Sequence, residues 1–201
     1  MTVRETPAAK KATALKKQKR RSPISREEGE RRLAAAALEL IQTRPFSEVS
    51  VRDIAELADV NHGFVHTWFG SKNDLFARVA RDLLHEVTID LEKSPPGEPS
   101  VGLFDDRVQL AVRLLMWLHL EGYDPSGGMD MAVFETLRTR YREVEGLAEA
   151  DADTAAAIAI ALGIGIGTFS PIVRDIAKVD LSLVFPMWRH VLGLLAKHPY
   201  Q

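Results

Sequence analysis

The chain has 201 residues, 46% of them hydrophobic, enough to build a sizeable core in one large domain or two small ones. It contains no cysteine, which excludes disulfide bracing and thiolate metal sites and fits a reducing, cytoplasmic setting. The net charge of -2 conceals an asymmetry: residues 1–26 carry nine Lys or Arg against one acid, and the remainder carries 17 basic residues against 27 acidic ones. Only the front end is built to meet a polyanion.

Residues 1–24 are polar, basic and poor in large apolar side chains, a composition that stays disordered when alone. Their charge is concentrated in Lys16, Lys17, Lys19, Arg20 and Arg21, which suit a DNA-binding arm lying along phosphates or entering a minor groove. The Lys and Ala content is also that of transit peptides, but the apolar core of a secretory signal is missing. No run reaches the roughly 20 apolar residues that cross a bilayer. The longest, 155–169, falls short, and no membrane contact is expected.

Ser25-Arg-Glu-Glu28 is a capping box opening a helix that should run to Thr43 and end before Pro45, with Leu33, Ala37, Leu38 and Ile41 facing inward. Phe46 and Val49 pin the connection to the next unit. Ser50, with Asp53 three residues on, caps a helix over 51–58, in which Ile54, Ala55 and Ala58 share a face and Ala55 allows a close crossing. The chain then turns at 59–61. Asp59 falls where a left-handed backbone is needed, and Asn61 can cap a second helix over 62–69. Rotating that helix at about 100° per residue gathers Val65, Trp68 and Phe69 inward. The outer face keeps His62, Gly63, Phe64, His66 and Thr67.

Such a helix fits a major groove: Thr and His hydrogen bond, an apolar ring touches a thymine methyl, and Gly lets the backbone approach. Ser50, Val51, Asn61 and Lys72 complete the candidate DNA contacts, Lys72 from the first turn of a helix capped by Ser71. The stretch from Ser50 to Lys72 is similar to the TetR family of bacterial transcription regulators. The residues that carry the resemblance are Val51, Ile54, Ala55, Ala58, Val60, Gly63, Val65, Phe69, Ser71, Lys72 and Leu75, with Leu38, Ile41 and Phe46 upstream. The family usually has Gly where this chain has Asp59, and a phosphate-contacting Tyr where it has His66. The expected fold is all-α, with the arm at 1–24, a three-helix DNA-binding unit at 25–70 and a helical body at 71–201.

In the body, the helix from Ser71 carries Leu75, Phe76, Val79, Leu83 and Val87 to about Lys93, and Ser94-Pro-Pro-Gly-Glu-Pro breaks it. A helix over 104–122 is apolar on most sides and should be central. A loop at 123–128 leads to a helix over 129–144, whose Arg138, Arg140 and Arg142 are read as solvated. Asp151 or Asp153 should cap the next helix, ending near 169 before Pro171. Ala155, Ala159, Gly163 and Gly167 recur along it every four residues, a stripe that admits close helix approach. The last helix lies within 180–197, where Pro186 either kinks it or starts it afresh.

The resemblance implies a homodimer joined through the final two helices. Ala155, Ala159, Gly163, Gly167, Trp188, Val191 and Leu195 are the candidate interface, with packing inside one chain as the alternative. It also implies an unidentified small-molecule effector. Met116, Trp117, His119, Tyr123, Met129, Phe134 and Phe169 are candidate pocket residues, and double-stranded DNA is the implied macromolecular partner. Repression of a palindromic operator is the function expected, with no cofactor. An enzyme using His62, His66 and His85 finds no support, since these lack an acidic HExxH partner and no nucleophile or paired-carboxylate motif accompanies them. An effector-independent architectural DNA-binding protein is the other alternative that the basic arm permits.

Overall fold

The computed structural model describes residues 24–95, 105–124, 132–178 and 183–200. The first four α-helices start for a local reason. Helix α1 (Arg26–Thr43) is capped by the Ser25 hydroxyl, which accepts from the Glu28 amide at 3.2 Å. A 3-10 turn at Phe46–Glu48 leads into α2 (Val51–Leu57), where Ser50 and Asp53 form the full reciprocal capping box. Ser71 caps α3 (Lys72–Lys93) by accepting from the Asp74 amide at 3.0 Å. Asp105 caps α4 (Asp106–Leu120), which ends where Gly122 takes a left-handed φ of 79°. Helices α5 (Ala132–Glu143), α6 (Glu149–Ala177) and α7 (Val184–Lys197) complete the body. Pro186 sits in the first turn of α7, where its missing N–H is one the helix leaves unpaired anyway, so the proline belongs to a fresh start.

Two cores form. The larger takes α1, α2, the turn after it, the first half of α3 and one face of α4, from Leu33 through Ile54, Val65, Leu75 and Phe76 to Leu114 and Leu118. The smaller joins α5, α6 and α7 around Tyr141, Ala152, Ala155, Ala156, Ala159, Trp188 and Leu192. The first half of α3 thus shares the core of the unit expected at 25–70.

Three expectations about the body are overturned. Helix α6 does not begin at Asp151 or stop at Pro171; it runs from Glu149 to Ala177, a proline deep in a long helix removing one hydrogen bond without ending the element. Asp151 is instead buried and accepts from the Tyr200 amide at 3.1 Å. The segment Glu149–Phe169 is in consequence long and apolar enough to cross a membrane, which the 155–169 run alone is not. Ala155, Ala159, Gly163 and Gly167 on one face of it are packed inside the chain, whereas Ala157 and Ala161 are exposed. The third correction concerns Arg140, which is not solvated: it donates to the carbonyls of Leu91 and Ser94 at 3.2 Å and of Pro95 at 2.8 Å, closing the open end of α3.

Candidate nucleic-acid interface

The turn between α2 and the reading segment is built as its residues require. Asp59 has φ 52°, a left-handed conformation that Asp tolerates better than most side chains. Asn61 then accepts from the Gly63 amide at 2.9 Å, satisfying a donor that the following helical segment leaves open. That segment differs from the expected α-helix over 62–69. It is wound as a π-helix over Val65–Phe69 and closed by Gly70 at φ 97°, whose amide donates to the His66 carbonyl at 3.1 Å. The wider winding lets Val65 be fully buried while Trp68 and Phe69 also pack on the core.

Gly29 of α1 makes room for this arrangement, because a Cβ there would lie 2.3 Å from Cζ3 and 2.4 Å from Cη2 of Trp68. The indole in turn stacks on Phe64, ring centroids 4.2 Å apart and planes within 5°. Phe64 is therefore held by a neighbour instead of swinging freely, with 37% of its surface open.

His62, His66 and Thr67 are exposed and Gly63 is half-exposed, so the structure brings the candidate reading residues to one outer surface. Two of their polar atoms already have partners. The Thr67 hydroxyl donates to the Gly63 carbonyl at 3.1 Å, leaving its oxygen free only to accept, and His66 Nδ1 lies 3.2 Å from the Gly70 carbonyl oxygen. Ser50 is exposed too, its hydroxyl donating to Asp53 at 2.7 Å, and Val51 is half-buried against the core. These Ser50 hydrogen bonds, from side chain and backbone, hold the Asp53 carboxyl below the usual carboxylate range.

Lys72 departs from the expected phosphate contact. Its ammonium turns inward, donating to the Val49 carbonyl at 3.1 Å and lying 5.3 Å from the Phe76 ring and 5.4 Å from the Trp117 ring. The backbone N–H groups at the start of α3 can still meet an anion there. The arm residues Lys16, Lys17, Lys19, Arg20 and Arg21 lie outside the described residues.

The effector candidates do not converge. Trp117 packs under the headpiece, 6.0 Å from the Phe46 ring and 5.9 Å from that of Phe76. Tyr123 donates to Asp74 at 2.7 Å, tying the end of α4 to the start of α3. Phe134 packs on the smaller core, Met116 is half-buried, and His119 and Phe169 are exposed; Met129 lies outside the described residues. Nothing in residue type alone distinguishes these surroundings. The dimer candidates are corrected too: Ala155, Ala159, Gly163, Gly167 and Trp188 are buried inside the chain, with Val191 and Leu195 packed on the same core. The physical reason is close approach within one subunit, since a Cβ on Gly167 would meet Gln109 Cα at 3.4 Å and Val112 at 3.5 Å. The apolar side chains left open are others: Ile164, Phe169, Ile172, Val173 and Ile176 on α6, and Met187 and Leu194 on α7.

Residues 33–79 match the profile described as bacterial regulatory proteins, tetR family. Over 129 residues, 61% of this chain and 66% of theirs, the chain is 30% identical to the HTH-type transcriptional repressor Rv3405c of Mycobacterium tuberculosis and to the HTH-type transcriptional regulator Mb3439c of Mycobacterium bovis. The match thus stops just short of two thirds of those relatives' length. Among solved structures, BioQ of Mycobacterium smegmatis is similar with a TM-score of 0.53 at 21% identity, covering 88% of this chain and 99% of that one. A possible TetR family transcriptional regulator of Streptomyces coelicolor A3(2) is similar with a TM-score of 0.50 at 18% identity, covering 83% of this chain and 88% of that one. The helix-turn-helix unit, its capped and left-handed turns and its helical body agree with these likenesses: residues 33–79 are a DNA-binding unit of the TetR family of bacterial regulatory proteins, and the chain as a whole is similar to regulators of that family.

Proposed function

We propose that this protein is a cytoplasmic, sequence-specific transcriptional repressor that binds a palindromic operator as a homodimer and leaves it when a small molecule binds the body. The observation that carries the reading is the outer surface of His62, Gly63, Phe64, His66 and Thr67, presented from a turn whose inner side is locked into the core by Val65, Trp68 and Phe69. Thr67 and the two histidines supply hydrogen-bonding groups, and Phe64 an apolar plane suited to a thymine methyl. Phosphates meet the N-terminus of α3, His66 and the basic arm. A relative's name as a repressor supports that sign of regulation.

Dimerisation follows from the open apolar side chains of α6 and α7, whose exposure is costly in a lone chain. Release requires that the effector favour the conformation that does not bind DNA, since equal affinity for both states shifts nothing. Selection of bound sequences from a random DNA pool at two salt concentrations tests the reading. A recovered inverted repeat supports it; retention of DNA without any motif at either salt favours an architectural protein instead.

A further inference from the structure

An open cleft of about 790 Å³ separates the end of α1 from α4, within the size range of small-molecule sites. Its walls come from both halves of the molecule. Ile41 and Phe46 on the headpiece side and Leu83, Leu110 and Trp117 on the body side give it apolar patches within a mixed lining. Three arginines also line it, and they are not equivalent. Arg107 is spent: it bonds Asp105 and Asp90 at 2.8 Å and lies 3.8 Å from Glu86, bracing α4 against α3. Arg113 donates only Nε, to the Gln109 carbonyl at 3.3 Å, and its terminal nitrogens have no bond among the described residues. The Arg44 guanidinium likewise has no hydrogen bond or ion pair among them and acts only through space on Asp53. Asp106 supplies the opposing charge. With Arg107 committed to its own carboxylates, Arg44 and Arg113 are the two guanidinium groups of the lining that have no ion pair among the described residues.

We propose that this cleft binds an organic monocarboxylate with an apolar body, its head held by Arg44 and Arg113 and its body laid on the Phe46, Leu110 and Trp117 surface. A guanidinium matches a carboxylate through two parallel N–H bonds. The ligand bridges headpiece and body, so it bears on their relative placement. This goes beyond the operator reading, and its test uses no DNA.

The full chain is titrated calorimetrically with 4-phenylbutyrate, decanoate and 1-naphthylacetate, each beside the alcohol of the same skeleton. At least one acid saturates at one per chain and binds roughly tenfold or more tightly than its alcohol, the scale of a charge-assisted hydrogen bond. In Arg44→Gln/Arg113→Gln, melting like the parent, that advantage disappears; Arg113→Lys, which keeps charge without the fork, falls between. Single substitutions serve if the double variant does not fold. Undiminished acid binding in the glutamine variants, no preference over the alcohols, or no saturable binding by any of the three acids overturns the proposal.

Discussion

Replacing Gly29 by Ala isolates the contact on which the reading surface rests. In an ordinary helix interior this change stabilises by about 1 kcal/mol, because Ala loses less backbone entropy than Gly. Here the added methyl would stand 2.3 and 2.4 Å from two carbons of the Trp68 ring, so the indole must move, and it is confined by its stack on Phe64. Overpacking of this kind costs about 1–3 kcal/mol, and a disrupted aromatic pair about 0.5–1.5 kcal/mol more. The balance is a net loss of about 0.5–3.5 kcal/mol, or roughly 1–14 °C in Tm for a chain of this size. Circular dichroism melting measures it, with near-ultraviolet spectra reporting the displaced indole. Affinity for a selected operator, by fluorescence anisotropy, should fall roughly tenfold, the scale of one lost base contact, because Phe64 loses its support. Adding Trp68→Leu to Gly29→Ala should recover stability, giving a favourable coupling in the double-mutant cycle. If Gly29→Ala alone melts higher and binds DNA unchanged, the indole does not sit on Gly29 and the account of the turn fails.

Asp59→Gly relaxes a left-handed residue and should leave melting unchanged or raise it by up to about 1 kcal/mol in stability; a fall of several degrees shows that the Asp side chain matters more than its backbone. Burial pushes the Asp74 carboxyl up, but hydrogen bonds from the Ser71 and Tyr123 hydroxyls and at the Ser71 backbone outweigh it and leave the pKa lowered. Its stabilisation is thus full above the unfolded-state pKa of about 3.9 and is lost as pH falls through the lower folded value, so urea stability on the acid limb should decline less steeply in Asp74→Asn; equal slopes refute this. Phe169→Glu with Met187→Glu places charges on the open apolar face and should yield monomers in sedimentation, while a persistent dimer moves the interface elsewhere. Deleting residues 1–22 removes eight Lys or Arg and should flatten the salt dependence of DNA binding; an unchanged slope makes the arm a bystander.

What could be read in the sequence was local chemistry. Ser25, Ser50 and Ser71 announce helix starts because a cap acts within three residues, and Asp59 announces a left-handed turn because the constraint is its own backbone. The π-winding of Val65–Phe69 had no such signal, since it depends on an indole settling against Gly29, more than thirty residues away in sequence. The same holds for Lys72 and Arg140. A basic side chain at a helix terminus looks solvated or DNA-bound until the fold sets a carbonyl and two rings beside the first, and three carbonyls at the end of α3 beside the second. The stripe of Ala155, Ala159, Gly163 and Gly167 does say that another helix comes close. It does not say whose, and the answer is α4 of the same chain at Gly167.

That answer changes the part played by α4. One side of it belongs to the headpiece core through Leu114 and Leu118, with Trp117 wedged among Phe46, Phe76 and the Lys72 ammonium. Its other side receives α6 at Gln109 and Val112, close enough that a methyl on Gly167 would be in van der Waals contact with it. Tyr123, just past its end, is bonded to Asp74 in the first turn of α3. A packed interior responds to displacement by shifting between arrangements, not by stretching, so movement of α6 against α4 has few places to be absorbed before it reaches the rings under the headpiece. Contiguity supplies the route only; coupling also needs α4 to have a second stable position. The half-open cleft beside Trp117 is the space into which such a shift can occur, and a ligand filling it would favour one position of α4 over the other.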